Sequence, residues 1–134
     1  MQIANFKIVQ QPIKSKADEI SERLLDYAVM IVKICAKLYK TEVGRHIAGQ
    51  LLRAGTSVGA NYEEARGAQS RADFVHKLQI VLKEIRESKY WLRLITRAGL
   101  LEGEEIDAAI GESQQIGNIM GRSIVTTKST TPQI

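Results

Sequence analysis

Between residues 13 and 131 the chain carries no proline; its two prolines, Pro12 and Pro132, stand near the ends. Proline is the strongest breaker of helices, so this whole interval is open to long ones. Within it apolar residues return every three or four positions rather than alternating, the period of helices packed on one core. The expected fold class is all-α. A length of 134 residues suits one domain with a substantial core.

The periodicity divides into four segments. A first helix is expected from Ser15, paired with Asp18 as a capping box, to about Lys40. Its apolar positions (Ile20, Leu24, Leu25, Ala28, Val29, Ile31, Val32, Ile34, Cys35, Leu38, Tyr39) span roughly 220° of the helix, well beyond an ordinary surface stripe. A helix that apolar has two sides to bury. In so short a chain the second side is expected to meet another subunit. A second helix spans 44–67, a third starts at Ser70 and stops at Gly99, and a fourth runs from 103 to 125. Short connections between four such helices give an antiparallel up-and-down four-helix bundle over 15–125. Residues 1–14 form an N-terminal arm in which Ile3, Phe6 and Ile8 are candidates for docking on the body. Residues 126–134, rich in Thr and Ser, are expected to be disordered.

The second helix holds the most unusual stretch, Gln50-Leu-Leu-Arg-Ala-Gly-Thr-Ser-Val-Gly-Ala-Asn-Tyr-Glu-Glu-Ala65. Each glycine inside a helix costs about 1 kcal/mol relative to alanine. Gly55 and Gly59 are therefore read as a smooth face that lets a neighbouring helix approach closely. Larger side chains at either position are expected to harm folding or assembly. Asn61, Glu63 and Glu64 interrupt the apolar run. Asn61 or one of the two glutamates is expected to be partly buried and paired with a cation on the third helix. Asn61 and Glu64 are read as polar locks beside the glycine face.

Little in the chain announces catalysis. Cys35, the single cysteine, excludes an internal disulfide and reads as a small core side chain. His46 and His76 lack the Glu-x-x-His spacing of di-iron bundles, having Val43 and Asp73 three residues before them. Thr56 and Ser57 have no local base, and mid-helix hydroxyls usually bond the preceding turn. Gly55-x-x-x-Gly59 is a packing spacing rather than a phosphate loop. No catalytic residue, metal site or cofactor is expected, and the protein is expected not to be an enzyme. No apolar run reaches the ~20 residues that span a bilayer, and no secretion signal is evident, which makes the cytoplasm the expected location.

Charge is uneven although the net value is only +4. Residues 68–99 carry seven Lys or Arg against three Asp or Glu, whereas 100–134 carry two against five. On the third helix Arg86, Lys89, Arg93 and Arg97 recur at three, four and four residues, with Lys77 and Lys83 nearby and Tyr90 and Trp91 among them. Cations interleaved with aromatics suit phosphate contacts and base stacking. Arg53, Arg66 and Arg71 are candidates to extend the field. The competing reading is a solvated face, or one paired with the acidic fourth helix.

Three ordered blocks carry a resemblance: Gln50 to Ala65, Ser70-Arg-Ala-Asp-Phe-Val-His-Lys-Leu78, and Lys83-Glu-Ile-Arg-Glu-Ser-Lys-Tyr-Trp-Leu-Arg-Leu94. Together they resemble the bacterial four-helix-bundle family named for the 23S rRNA intervening-sequence protein, over roughly 20–122. The resemblance implies a cytoplasmic bundle that assembles as a ring-shaped homopentamer. It also implies kinship with accessory proteins of diversity-generating retroelements, which bind nucleic acid and a reverse transcriptase; Trp91-Leu-Arg-Leu94 is similar to a segment of those proteins. It implies no catalytic residue. The expected function is thus a non-enzymatic oligomer that binds RNA or other nucleic acid through Lys77, Lys83, Arg86, Lys89, Arg93 and Arg97. The alternative is a protein–protein scaffold with no nucleic-acid role.

Overall fold

The computed structural model describes residues 14–129. They form four helices: α1 (Lys16–Ala36), α2 (Glu42–Arg66), α3 (Arg71–Arg97) and α4 (Glu104–Ser129). Residues 1–13 of the expected arm, with Ile3, Phe6 and Ile8, and residues 130–134 lie outside the described residues.

Helix ends follow local chemistry. Ser15 accepts from the Asp18 amide at 3.0 Å, and the Asp18 carboxylate accepts from the Ser15 amide at 3.1 Å, a complete capping box. Thr41 caps α2 through the Gly44 amide, and Ser70 caps α3 through the Asp73 amide. Gly67 closes α2, and Gly99, at φ +71°, takes the left-handed conformation just past α3. Two ends differ from expectation. α1 stops at Ala36 rather than near Lys40, because the Lys37 and Leu38 amides turn back to Ile34 and Cys35. α4 runs on through Thr126 to Ser129, into the stretch expected to be disordered. Its hydroxyls explain this: Thr127 Oγ1 donates to the Ser123 carbonyl at 2.7 Å and Ser129 Oγ to that of Thr126 at 3.0 Å, so the residues stay compatible with a helix.

Contacts between the helices establish their directions. Asp18 and Cys35 of α1 meet Arg66 and Ala48 of α2; Glu64 and Arg53 of α2 meet Lys77 and Glu84 of α3. Arg23 of α1 and Lys37 at its C-cap meet Glu112 and Glu105 of α4, and Ile85 and Lys89 of α3 face Gly117 and Gln114 of α4. In each pair one number rises as the other falls, so every neighbour is antiparallel. α4 returns beside α1 to close the square. The fold is an all-α, antiparallel four-helix bundle.

The core is contributed by all four helices, including Ile31, Ile34, Leu51, Val58, Leu78, Ile85, Leu92, Ile95, Ile106, Ile116 and Met120. Cys35 is buried among them, its thiol donating to the Ala48 carbonyl at 3.4 Å. Burial pushes that thiol up to about 11, so it carries no thiolate at neutral pH. Tyr27, absent from the sequence-based core, is fully buried, with its hydroxyl 2.7 Å from Ser113 Oγ. Ser113 gives its own proton to the Ala109 carbonyl, so Tyr27 is the donor between them. Among the described residues no helix is long and apolar enough to cross a membrane.

Gly55 is buried against α1: a Cβ there would lie 2.8 Å from two carbons of Ile31. The close approach expected of the glycine face is present at this point. At Gly59 the same atom would sit 3.5 Å from Leu24 Cβ, an ordinary contact. Gly59 instead floors an open groove of about 1100 Å³ between α1 and α2, with Leu25, Ala28, Thr56 and Ala60 along it.

The broad apolar arc of α1 is divided. Leu24, Tyr27, Ile31, Ile34 and Cys35 enter the core, whereas Leu25, Val29 and Val32, with Tyr39 just beyond the helix, stay 58, 45, 49 and 46% exposed. This second side has no partner within the described chain.

Candidate nucleic-acid interface

On α3 the core row Leu78, Val81, Ile85, Ser88, Leu92 and Ile95 fixes which residues face outward. Seven residues are close to two turns, so Lys83, Tyr90 and Arg97 form one outward row and Arg86 and Arg93 a second beside it. All five are exposed, Tyr90 by 59%. Lys83, Arg86, Arg93 and Arg97 make no ion pair or hydrogen bond among the described residues. The stretch from Lys83 to Arg97 covers about 21 Å of helix.

The other two predicted contact residues lie elsewhere. Lys77 is turned toward α2 and pairs with Glu64 at 3.3 Å. Lys89 is turned toward α4, where its ammonium meets the Gln114 side-chain oxygen. The structure thus gathers four of the six on one face and places two at its flanks. Pairing of the stripe with the acidic start of α4 is not seen among the described residues; there Glu105 meets Lys37, the C-cap of α1, at 2.8 Å.

Two of the arginines considered as extensions of the field are neutralised. Arg66 donates to Asp18 at 2.9 Å and holds that carboxyl below its usual range. Arg53 reaches across to α3, donating to Glu84 at 3.1 Å and also to Glu87. Arg71 is exposed at the first turn of α3, well away from Arg93 and Arg97.

This carboxylate clamp also organises the aromatic pair. The Trp91 indole N–H donates to Glu87 at 3.1 Å. That bond, followed by Arg53, holds the Glu87 carboxyl below its ordinary range. Trp91 is half-buried, and it and Tyr90 form a T-shaped pair, with ring centroids 5.2 Å apart and planes at 77°. A chain of contacts from Arg53 through Glu87 and Trp91 therefore ends beside the exposed Tyr90 ring. Sequence reasoning missed the clamp. Its signal was Glu84, Glu87 and Trp91 at three- and four-residue spacing on one flank of α3, hidden by counting acids only as net charge.

The proposed polar locks are modest. Asn61 is half-buried, but its amide donates to the Ser57 carbonyl of its own helix at 2.8 Å. Glu64 does pair with a cation on α3, Lys77, through an exposed carboxylate. Ser57 and Thr56 bond back to the carbonyls of Arg53 and Leu52. His46 and His76 are exposed on different helices, and no three His, Cys, Asp or Glu among the described residues are grouped to hold a metal ion.

Comparison with known proteins is consistent with the four-helix architecture. A family model described as 23S rRNA-intervening sequence protein matches residues 16–122. A crystal structure of a protein of unknown function from the S23 ribosomal protein family of Bacteroides thetaiotaomicron VPI-5482 superposes with a TM-score of 0.74 at 38% identity, covering 78% of this chain and 97% of that one. No curated protein matches the chain.

Proposed function

Because the chain belongs to the 23S rRNA-intervening sequence protein family, we propose that it is a non-enzymatic protein that binds RNA or other nucleic acid through α3. It acts as a homo-oligomer, in the manner of an RNP or retroelement-type accessory factor. The observation that carries this reading is the outer face of α3, where Lys83, Arg86, Arg93 and Arg97 stand exposed around Tyr90 and without an ion pair or hydrogen bond among the described residues. Several other cations of the bundle, including Arg23, Lys37, Arg53, Arg66 and Lys77, are paired with carboxylates. Four free charges per chain make a weak site alone. Repetition around an oligomer raises it through multivalency. A protein such as a reverse transcriptase is a fitting further partner, and the cytoplasm a fitting location.

Such binding is tolerant of sequence and steeply salt-dependent, because phosphate contacts release counterions. In filter binding with a structured RNA at low salt, the wild type should bind and Arg93→Glu should bind markedly less. The exposed apolar side of α1 also favours protein contact, and a pure scaffold is the second reading. That scaffold binds no RNA at any salt concentration, and its behaviour is indifferent to Arg93→Glu.

A further inference from the structure

We propose that Tyr90 is a stacking platform for an unpaired nucleobase, so that the α3 face takes single-stranded nucleic acid in preference to duplex. The inference rests on the nucleic-acid reading of that face and specifies its ligand. A duplex offers a helix surface only phosphates and groove edges, and four cations would suffice for it. Tyr90 adds something a duplex does not use, because paired bases keep their faces inside the stack.

Three observations bear on it. Tyr90 is 59% exposed, so its ring is accessible to a ligand. It is central to the charge: Lys83 and Arg97 lie seven residues to either side in its own row, and Arg86 and Arg93 lie four before and three after in the next. It makes a T-shaped contact with Trp91, whose indole is bonded to Glu87, itself gripped by Arg53. A ring that already rests against a fixed neighbour and is still largely exposed loses less freedom when a base is laid on it than an unsupported one. Backbone phosphates on either side of that base then fall to the flanking cations. Stacking on a protein aromatic is tolerant of base identity, because every base has a π-face.

The test compares a short unstructured single-stranded RNA of mixed sequence with a blunt RNA duplex of the same phosphate count, over a range of salt. Tyr90→Ala should weaken single-strand binding about 5- to 150-fold, leave its salt slope unchanged, and leave duplex binding within about twofold. Tyr90→Phe should retain wild-type binding. Arg93→Ala should weaken both ligands and flatten the salt slope by roughly 0.7 on the single strand. A DNA strand of the same sequence separates base stacking, which it shares, from contacts to the ribose hydroxyl. Tyr90 projects outward, so thermal melting should be the same for the tyrosine variants and the wild type. If Tyr90→Ala leaves single-strand binding intact, weakens both ligands equally, or is matched by Tyr90→Phe, the platform is overturned while phosphate binding stands. If the wild type binds neither RNA, the nucleic-acid reading itself fails.

Discussion

Gly55 and Gly59 stand one turn apart on α2, yet they meet different surroundings. At Gly55 a methyl group would press into the branched carbons of Ile31 at 2.8 Å, and Ile31 is fully buried. Overpacking of that kind costs about 1–3 kcal/mol, more than the ~1 kcal/mol that alanine gains in helix propensity. Gly55→Ala should therefore lower the urea midpoint. Gly59→Ala should hold or raise that midpoint, with a stability gain of up to about 1 kcal/mol, since only an ordinary contact awaits the new atom. Opposite signs at the two positions check the packing account directly. The sequence showed that two glycines in a helix need compensation, but a four-residue repeat carries no information on which of them is pressed. That depends on where Ile31 crosses, which no local pattern records.

Among the elements, α1 and α4 are tied by polar contacts, buried at Tyr27 and part-buried or exposed at Arg23. Tyr27 donates to Ser113, while Arg23 forms a forked pair with Glu112 at 2.7 and 2.8 Å and also meets Gln115. Burial raises the Tyr27 phenol from 10.0 to about 12. A group with a raised folded-state value gives its full stabilisation below the unfolded value and loses it as pH climbs toward the folded one. Stability contributed by Tyr27 is thus complete below about pH 10 and lost on the way to pH 12, about 2–3 kcal/mol in all. Tyr27→Phe should be about 0.5–1.5 kcal/mol less stable at neutral pH and should lack this alkaline decline. Denaturant titrations of both proteins at about pH 8 and about pH 11.5 check it; the Cys35 thiol, present in both, cancels in the difference. Helix starts were legible because caps such as Ser15–Asp18 and Ser70–Asp73 are local chemistry. Tyr27 was not, because a tyrosine hydroxyl argues against full burial until a partner such as Ser113 is found opposite it. The end of α4 was misread for a related reason: Thr and Ser look like loop formers, yet their hydroxyls here bond the turn before.

For the whole molecule, the divided apolar arc of α1 and the outward charges of α3 belong to different sides of the bundle. Assembly through α1 would cover Leu25, Val29, Val32 and Tyr39 while leaving Tyr90 and Arg93 open to solvent. A ring of five, as the family resemblance implies, is one closed form of such an assembly. Val29→Glu combined with Val32→Glu should shift sedimentation toward the monomer with helicity intact, since both residues lie outside the core. RNA affinity should fall with it by about 10²-fold or more as multivalency is lost. A double variant that keeps its oligomer size would place the subunit contact elsewhere. The division of α1 was readable in advance as an excess of apolar surface. Which residues formed the excess required the core to be seen.

Trp91 is the single tryptophan of the chain, and it lies against Tyr90 with its indole N–H held by Glu87. The protein therefore carries its own optical reporter at the face of interest. Its ultraviolet emission comes from one half-buried indole, so a change in colour or intensity has a single origin. Unfolding releases the indole to water, whereas a base laid on Tyr90 perturbs it through the neighbouring ring. One unlabelled sample can then follow both events, distinguished by whether helicity is lost alongside the signal.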